Sequence, residues 1–240
     1  MIPKKIHYCW YGGKKMPPLV RQCIASWKKF CPDYELICWN EENTDFGANL
    51  FLQEAYERKK WAFVTDVMRL MAVYEYGGIY LDTDVELLKP LDDLLSQKAF
   101  FAKETDARVS TGLGFGAEQH NRVVGLLLQE YKNGGFVLEN GQFDQTSCPK
   151  KNTKVLRALG MKDGCEVQYL DDCVIYPTEY FCPKKYESKE INITGNTYSI
   201  HYFRGSWVPF EYKVKKAAVK IFGNFGYRII KVYDRIKWGI

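Results

Sequence analysis

The chain has 240 residues, 46% hydrophobic and 26% charged, which suits one folded α/β domain with a sizeable core and excludes a disordered or fibrous segment. Its net charge of +5 is terminal: residues 211–240 carry eight Lys/Arg against two Asp/Glu, the preceding 210 residues are close to neutral, and no nucleic-acid motif accompanies the charge, so a nucleic-acid partner is not expected. Eight cysteines without a CxxC pair argue against a zinc site and for free thiols in a reducing compartment, Met1 to Lys5 lacks a signal-peptide pattern, and no run of about 18 apolar residues reads as a membrane span.

In chain order, Ile6 to Tyr11 reads as a first strand, ended by Gly12-Gly13. Pro17-Pro18 opens a helix on which Leu19, Cys23, Trp27 and Phe30 recur at near-helical spacing, and Tyr34 to Trp39 reads as a second strand. A strand, helix and strand in that order predict two parallel strands with a right-handed crossover. Residues 48–60 read as a polar helix, and residues 62–76 as a second helix with Phe63, Val67, Leu70, Met71 and Tyr74 on its apolar face. Gly77-Gly78 closes it, and Ile79-Tyr80-Leu81 is a short buried strand carrying Asp82-Thr83-Asp84 at its carboxyl end. Ala99 to Ala102 and Leu113 to Ala117 look like strands, and Arg122 to Tyr131 like a helix. From Asn133 the chain reads as loop-rich, with short strands near 166–170, 174–176 and 198–203.

The chemistry centres on Asp82 and Asp84. Separated by one residue, they point to the same side if the strand geometry continues. Ligands of α/β sheets gather beyond the carboxyl ends of strands, and paired carboxylates there suit a hard divalent cation, Mn²⁺ or Mg²⁺, that also binds phosphate oxygens. Asp66 and Arg69, spaced i, i+3, share a helix face and make a second candidate pair. Thr111 to Gly116 is glycine-rich without dinucleotide-binding spacing, and reads as a strand closely approached by another backbone or a ligand. Asp171-Asp172 reads as a turn.

The stretches Ala62-Phe63-Val64-Thr65-Asp66-Val67-Met68-Arg69 and Tyr74-Glu75-Tyr76-Gly77-Gly78-Ile79-Tyr80-Leu81-Asp82-Thr83-Asp84-Val85 resemble the DXD region of glycosyltransferase family 32. Ile2 to Trp10 resembles that family's first strand, and His201-Tyr202-Phe203-Arg204-Gly205-Ser206-Trp207 its closing motif. The resemblance implies a GT-A, Rossmann-like nucleotide-diphospho-sugar transferase fold over residues 1–210. It implies a nucleotide-sugar donor, a UDP-sugar by analogy, and retention at the anomeric carbon. The acceptor would be a saccharide or lipid-linked oligosaccharide, as in capsular or exopolysaccharide synthesis. Carried onto this chain, Trp10 would stack on the base, and Asp66 and Arg69 would hold the donor sugar. Asp82 would meet ribose and the metal's water shell, and Asp84 would ligate the metal with His201 as third ligand. Ser206 and Trp207 would reach the diphosphate. The sequence departs from the family at Thr146-Ser147-Cys148-Pro149, where related chains often carry Thr-Gly-Pro; Asp144 nearby is a candidate pocket carboxylate.

In residues 211–240, Val214, Ala217, Ala218, Ile221 and Phe222, then Phe225, Ile229, Val232, Tyr233 and Ile236, fall at near-helical spacing among lysines and arginines. Basic amphipathic C-terminal helices of this kind are expected to meet anionic lipid, which would place the protein in the cytoplasm, peripheral on the inner face of the membrane. Two alternatives remain at this point. Leu81 to Val85 also fits the D-x-D-x-[TV] pattern of haloacid-dehalogenase-like phosphotransferases, in which the first Asp is a nucleophile. A non-enzymatic, peripheral-membrane sugar-binding module would keep the aromatic residues and the tail, without needing both acidic pairs.

Overall fold

The computed structural model describes residues 1–132, 134–184 and 190–203. The expected tail helices, the domain boundary at residue 210, Ser206 and Trp207 lie outside the described residues. The fold starts with β1 (Lys5–Cys9), α1 (Pro18–Phe30) and β2 (Glu35–Trp39), and the two strands pair in parallel from Lys5↔Glu35 to Cys9↔Trp39, as the βαβ reading predicts. Pro18 occupies the first turn of α1, where its missing N–H costs nothing, and Lys28 and Lys29 offset the partial negative charge of the last turn. Val20, Cys23 and Trp27 are the buried apolar residues of α1, and the Trp27 indole donates to Val85 O at 2.8 Å.

Next come α2 (Leu50–Glu57) and α3 (Trp61–Tyr76). The first is shorter and less polar than expected: Asn49 caps it by accepting from Leu52 N, and Phe51, Leu52 and Ala55 are buried. The second buries Val64, Val67, Met68, Leu70, Ala72 and Val73, a wider band than the single apolar face the spacing implies, because it is covered on more than one side. Gly77, at φ 61°, ends α3 in a backbone conformation that other residues rarely adopt, and a Cβ there would stand 2.8 Å from Pro3 Cγ.

The chain continues through β3 (Gly78–Tyr80), β4 (Val85–Leu87), β5 (Ala99–Thr105), β6 (Arg108–Val109), β7 (Phe115–Ala117) and α4 (Arg122–Gln129). It then forms α5 (Cys148–Ala158), β8 (Gln168–Leu170), β9 (Cys173–Tyr176), α6 (Thr178–Phe181) and β10 (Ser199–His201). The helix α5 stands where the sequence reads as loop. It buries the polar Lys151, Asn152 and Thr153 beside Cys148 and Leu156, so no apolar stripe announces it.

The main sheet runs β2-β1-β3-β7-β5-β9-β8, with β6 attached to β5. It is mixed: β1 pairs in parallel with β2 and β3, and β5 with β9, whereas β7 is antiparallel to both β3 and β5. Successive residues feed opposite faces, as strand alternation requires. Tyr80, Phe101 and Phe115 join the core under α2, α3 and α4, while Ile79, Leu81, Phe100 and Ala102 join the core with Trp27 and Phe181. Apart from this sheet, β4 and β10 form a two-stranded antiparallel ribbon in which His201 lies opposite Val85.

His7 is fully buried in β1. Its Nε2 lies 2.8 Å from Gly77 O, and its Nδ1 accepts from Trp39 Nε1 at 3.2 Å. One nitrogen donating and the other accepting is the neutral imidazole, and burial lowers its pKa to about 4.

Candidate functional site

Regular strand geometry stops at Tyr80, so the alternation expected to continue through Asp82 and Asp84 does not hold. Val85 N donates to Asp82 O at 2.9 Å and closes a tight turn over Asp82-Thr83-Asp84. The two carboxylates meet because of this turn and not because of strand periodicity. The turn hands Asp84 to the β4–β10 ribbon, where Tyr202 N donates to Asp84 O at 3.0 Å and His201 Nε2 lies 3.0 Å from Asp84 Oδ1. The hydroxyl of Tyr202 adds a short hydrogen bond to Glu86 and fastens the ribbon below the site. Asp82, Asp84 and His201 each offer one ligand atom, all within 4.8 Å of one another.

Arg69 organises the other half. Its Nη2 stands 3.1 Å from Asp66 Oδ1 and 3.3 Å from Asp82 Oδ1, and its Nε donates to Thr65 O at 3.2 Å. The guanidinium lies over the Tyr80 ring, 5.1 Å from the centroid, while the Tyr80 hydroxyl donates to Asp82 Oδ1 at 2.9 Å. Asp82 is thus held through one oxygen by Tyr80 and Arg69. The helix pair Asp66/Arg69 and the turn carboxylate Asp82 form one connected group.

Burial pushes the Asp66 carboxyl up to about 6 despite the opposing pull of Arg69, and burial also raises Asp82 against the same guanidinium. Burial disfavours a charged His201 ring, but its bond to Asp84 and the charges of Asp84 and Asp82 outweigh this and raise its pKa. Asp66 and Asp82 share the buried Arg69 guanidinium, and Asp84 meets His201, so carboxylates outnumber the permanent cation bonded to them. Two carboxylates with an imidazole are a donor set that Mn²⁺ or Mg²⁺ accepts. His201 Nδ1 is buried and has no hydrogen-bond partner among the described residues. The residues present therefore fit a divalent metal.

The approach of β7 shapes the site from beneath. A Cβ at Gly112 would fall 2.6 Å from Asp82 Oδ2 and 3.1 Å from Arg69 Nη1, which gives the glycine-rich stretch its reason. Trp10 follows β1 directly. Because β1 pairs in parallel with β3 at Ile6↔Ile79 and His7↔Tyr80, Trp10 and the Asp82-Thr83-Asp84 turn both follow strands that end at the same edge of the sheet. The Trp10 ring nitrogen donates to Lys14 O at 2.6 Å, so the indole is fixed by its own loop, at the same end of the sheet as the carboxylates.

Several neighbours were not singled out from sequence. Tyr80 reads as an ordinary strand residue until its hydroxyl is seen on Asp82. Thr111 Oγ1 and Cys148 Sγ lie 3.5 and 3.8 Å from Arg69 Nη1, and Asn152 Nδ2 donates to both at 3.0 and 3.1 Å. The Thr-Ser-Cys-Pro departure from the family thus places a buried thiol beside the arginine. Asp144 accepts from Lys151 Nζ at 2.9 Å and from Thr146 N at 2.8 Å, so it pins the start of α5. Asp172 pairs with Lys98 and Arg122 at 3.0 and 2.7 Å, a surface bridge as its turn reading implies.

Residues 17–101 match the family model for the glycosyltransferase sugar-binding region containing a DXD motif. Inositol phosphoceramide mannosyltransferase 3 of Schizosaccharomyces pombe is 32% identical over 145 residues, covering 55% of this chain and 37% of that protein. Mannosyl phosphorylinositol ceramide synthase SUR1 of Saccharomyces cerevisiae is 30% identical over 128 residues, covering 50% of this chain and 32% of that one. The chain spans about a third of the length of these curated relatives. Among solved structures, PaToxG glycosyltransferase aligns with a TM-score of 0.49 at 16% identity, over 65% of this chain and 68% of that chain.

Proposed function

We propose, for a chain whose residues 17–101 match the model of the DXD-containing glycosyltransferase sugar-binding region, that it moves a sugar from a nucleoside-diphosphate donor to an acceptor hydroxyl, with a GT-A arrangement and a divalent metal. The observation that carries this reading is the meeting of Asp82, Asp84 and His201 within 4.8 Å, next to the Asp66–Arg69 pair. Asp82, Asp84 and His201 would hold the metal, which supplies positive charge to the leaving diphosphate. Asp66 accepts from donor-sugar hydroxyls, and Arg69 keeps Asp66 and Asp82 in fixed positions. Trp10 would offer a ring face to the base, and Ser206 and Trp207 are proposed to bind the diphosphate. Transfer with retention is part of the proposal.

Both relatives' names include mannosyl transfer, which favours a mannose donor; the UDP-sugar expectation competes with it. Against the phosphotransferase alternative, residues 17–101, which include Asp82, match the DXD-containing glycosyltransferase sugar-binding model. The basic residues 211–240 are proposed to bring the protein to an anionic membrane surface and a lipid-linked acceptor.

The test is nucleotide release with Mn²⁺ from GDP-mannose, UDP-glucose and UDP-galactose, with and without chelator. Release from at least one donor, abolished by chelator and lowered about a hundredfold or more by Asp84→Asn, is expected. Equal release by Asp84→Asn and the wild type would remove the metal role.

A further inference from the structure

The arginine that joins Asp66 to Asp82 is itself held from behind, and one hydroxyl is common to the contacts there. Arg69 uses Nε on Thr65 O and Nη2 on the two carboxylates, which leaves Nη1. That nitrogen faces Thr111 Oγ1 at 3.5 Å and Cys148 Sγ at 3.8 Å. The same Thr111 oxygen lies 3.1 Å from Cys148 Sγ and accepts from Asn152 Nδ2 at 3.0 Å, and Asn152 Nδ2 also reaches Cys148 Sγ at 3.1 Å. Thr111 and Asn152 are both fully buried.

Two parts of the chain bring this network together. Cys148 and Asn152 stand four residues apart on α5 and so share one face of it. Val109 N donates to Thr153 Oγ1 at 3.0 Å and fastens α5 to β6. Thr111 comes from the segment between β6 and β7, directly before Gly112, whose lack of a side chain lets the backbone pass beneath Asp82 and Arg69.

Two features argue that the network serves the site and not the fold alone. Asn152 Oδ1 is buried without a hydrogen-bond partner among the described residues. A half-satisfied buried amide stabilises less than an apolar side chain of the same shape, and such departures from the best core concentrate at functional sites. The second feature is charge. The acceptors facing Nη1 are a hydroxyl and a thiol that burial pushes up to about 12, so both are neutral, whereas Nη2 meets two carboxylates. Neutral acceptors orient a planar guanidinium without drawing its charge away from Asp66 and Asp82.

We infer that Thr111, backed by Asn152, is a positioning residue of the donor-sugar site: it sets the plane of Arg69, and through Arg69 the places of Asp66 and Asp82. The inference rests on the glycosyltransferase reading and adds to it the residues that act on the sugar only through the arginine.

The test compares full-length wild type, Thr111→Val, Thr111→Ser and the double variant Thr111→Val/Asn152→Leu for nucleotide release from the same three donors with Mn²⁺, each paired with thermal unfolding. Thr111→Val keeps the shape and loses the hydroxyl, and is expected to lower kcat/KM about tenfold or more. Thr111→Ser keeps the hydroxyl and loses a methyl, and should stay within about threefold of wild type. The double variant makes both partners apolar, so its thermal midpoint should recover towards wild type while kcat/KM stays as low as in Thr111→Val. Activity that recovers together with stability in the double variant overturns the positioning role and leaves a structural one. Thr111→Ser as impaired as Thr111→Val, or Thr111→Val as active as wild type, overturns it as well, and this order of the single variants stands whatever the double variant does. Wild type releasing no nucleotide from any donor sinks the glycosyltransferase reading, and this inference with it.

Discussion

His7 and Arg69 illustrate two ways in which a buried polar side chain is settled. Arg69 keeps its charge because two carboxylates, a carbonyl and an aromatic face surround it. His7 gives up its charge, since Gly77 O and Trp39 Nε1 complete a neutral ring and burial disfavours the cation. The unfolded chain binds the His7 proton from about pH 6.5 downwards, whereas the folded chain binds it only near pH 4. The stability this group contributes is therefore present above pH 6.5 and is lost as pH falls through that window, up to roughly 3 kcal/mol. Urea unfolding of the wild type between pH 7 and pH 4 should show the decline, and His7→Gln should flatten that part of the slope. A variant with the same slope as the wild type would remove the assignment to His7. Sequence could not supply either outcome: Asp66 and Arg69 are recognisable as a helical pair by spacing, but the third partner, Asp82, comes from another element.

Elements matter here through where they end. The carboxylates converge because β3 stops at Tyr80 and a turn follows, and His201 arrives because β10 pairs with β4 in a register fixed at Ser199↔Leu87. Gly112, leading into β7, lets a backbone pass beneath Asp82 where a side chain could not. Gly112→Ala is expected to push the Asp82 carboxylate and weaken Mn²⁺ binding about ten- to a hundredfold, at a stability cost of about 1–3 kcal/mol. Titration with Mn²⁺, paired with thermal unfolding, measures both. Unaltered Mn²⁺ affinity would mean that Asp82 does not hold the ion. The helices α1 and α3 are legible because each buries apolar residues at helical spacing. In contrast, α5 escapes notice because Lys151, Asn152 and Thr153 are buried through hydrogen bonds, and hydrogen bonding leaves no periodic mark on a sequence.

At the scale of the whole molecule, charge is divided between a near-neutral body and a basic end. A chain ending at residue 210 should lose binding to vesicles containing phosphatidylserine while releasing nucleotide at the full-length rate. Sedimentation with the vesicles reads the first and the donor assay the second; unchanged vesicle binding would remove the membrane role of residues 211–240. By itself the sequence determined the opening βαβ unit, the α3–β3 connection through Gly77-Gly78 and the identity of the acidic residues at its end, because apolar periodicity and glycine punctuation are local properties. It also supplied the family resemblance, since those motifs are contiguous. Only the tertiary structure decided that β7 runs antiparallel between β3 and β5, that His201 closes on Asp84, and that Tyr80, Thr111, Cys148 and Asn152 surround Arg69. The contacts of Thr111 and Cys148 with Arg69, and of His201 with Asp84, join residues 42 to 117 positions apart in the chain. Which partners meet is set by how two cores pack against one sheet, and no local pattern encodes that.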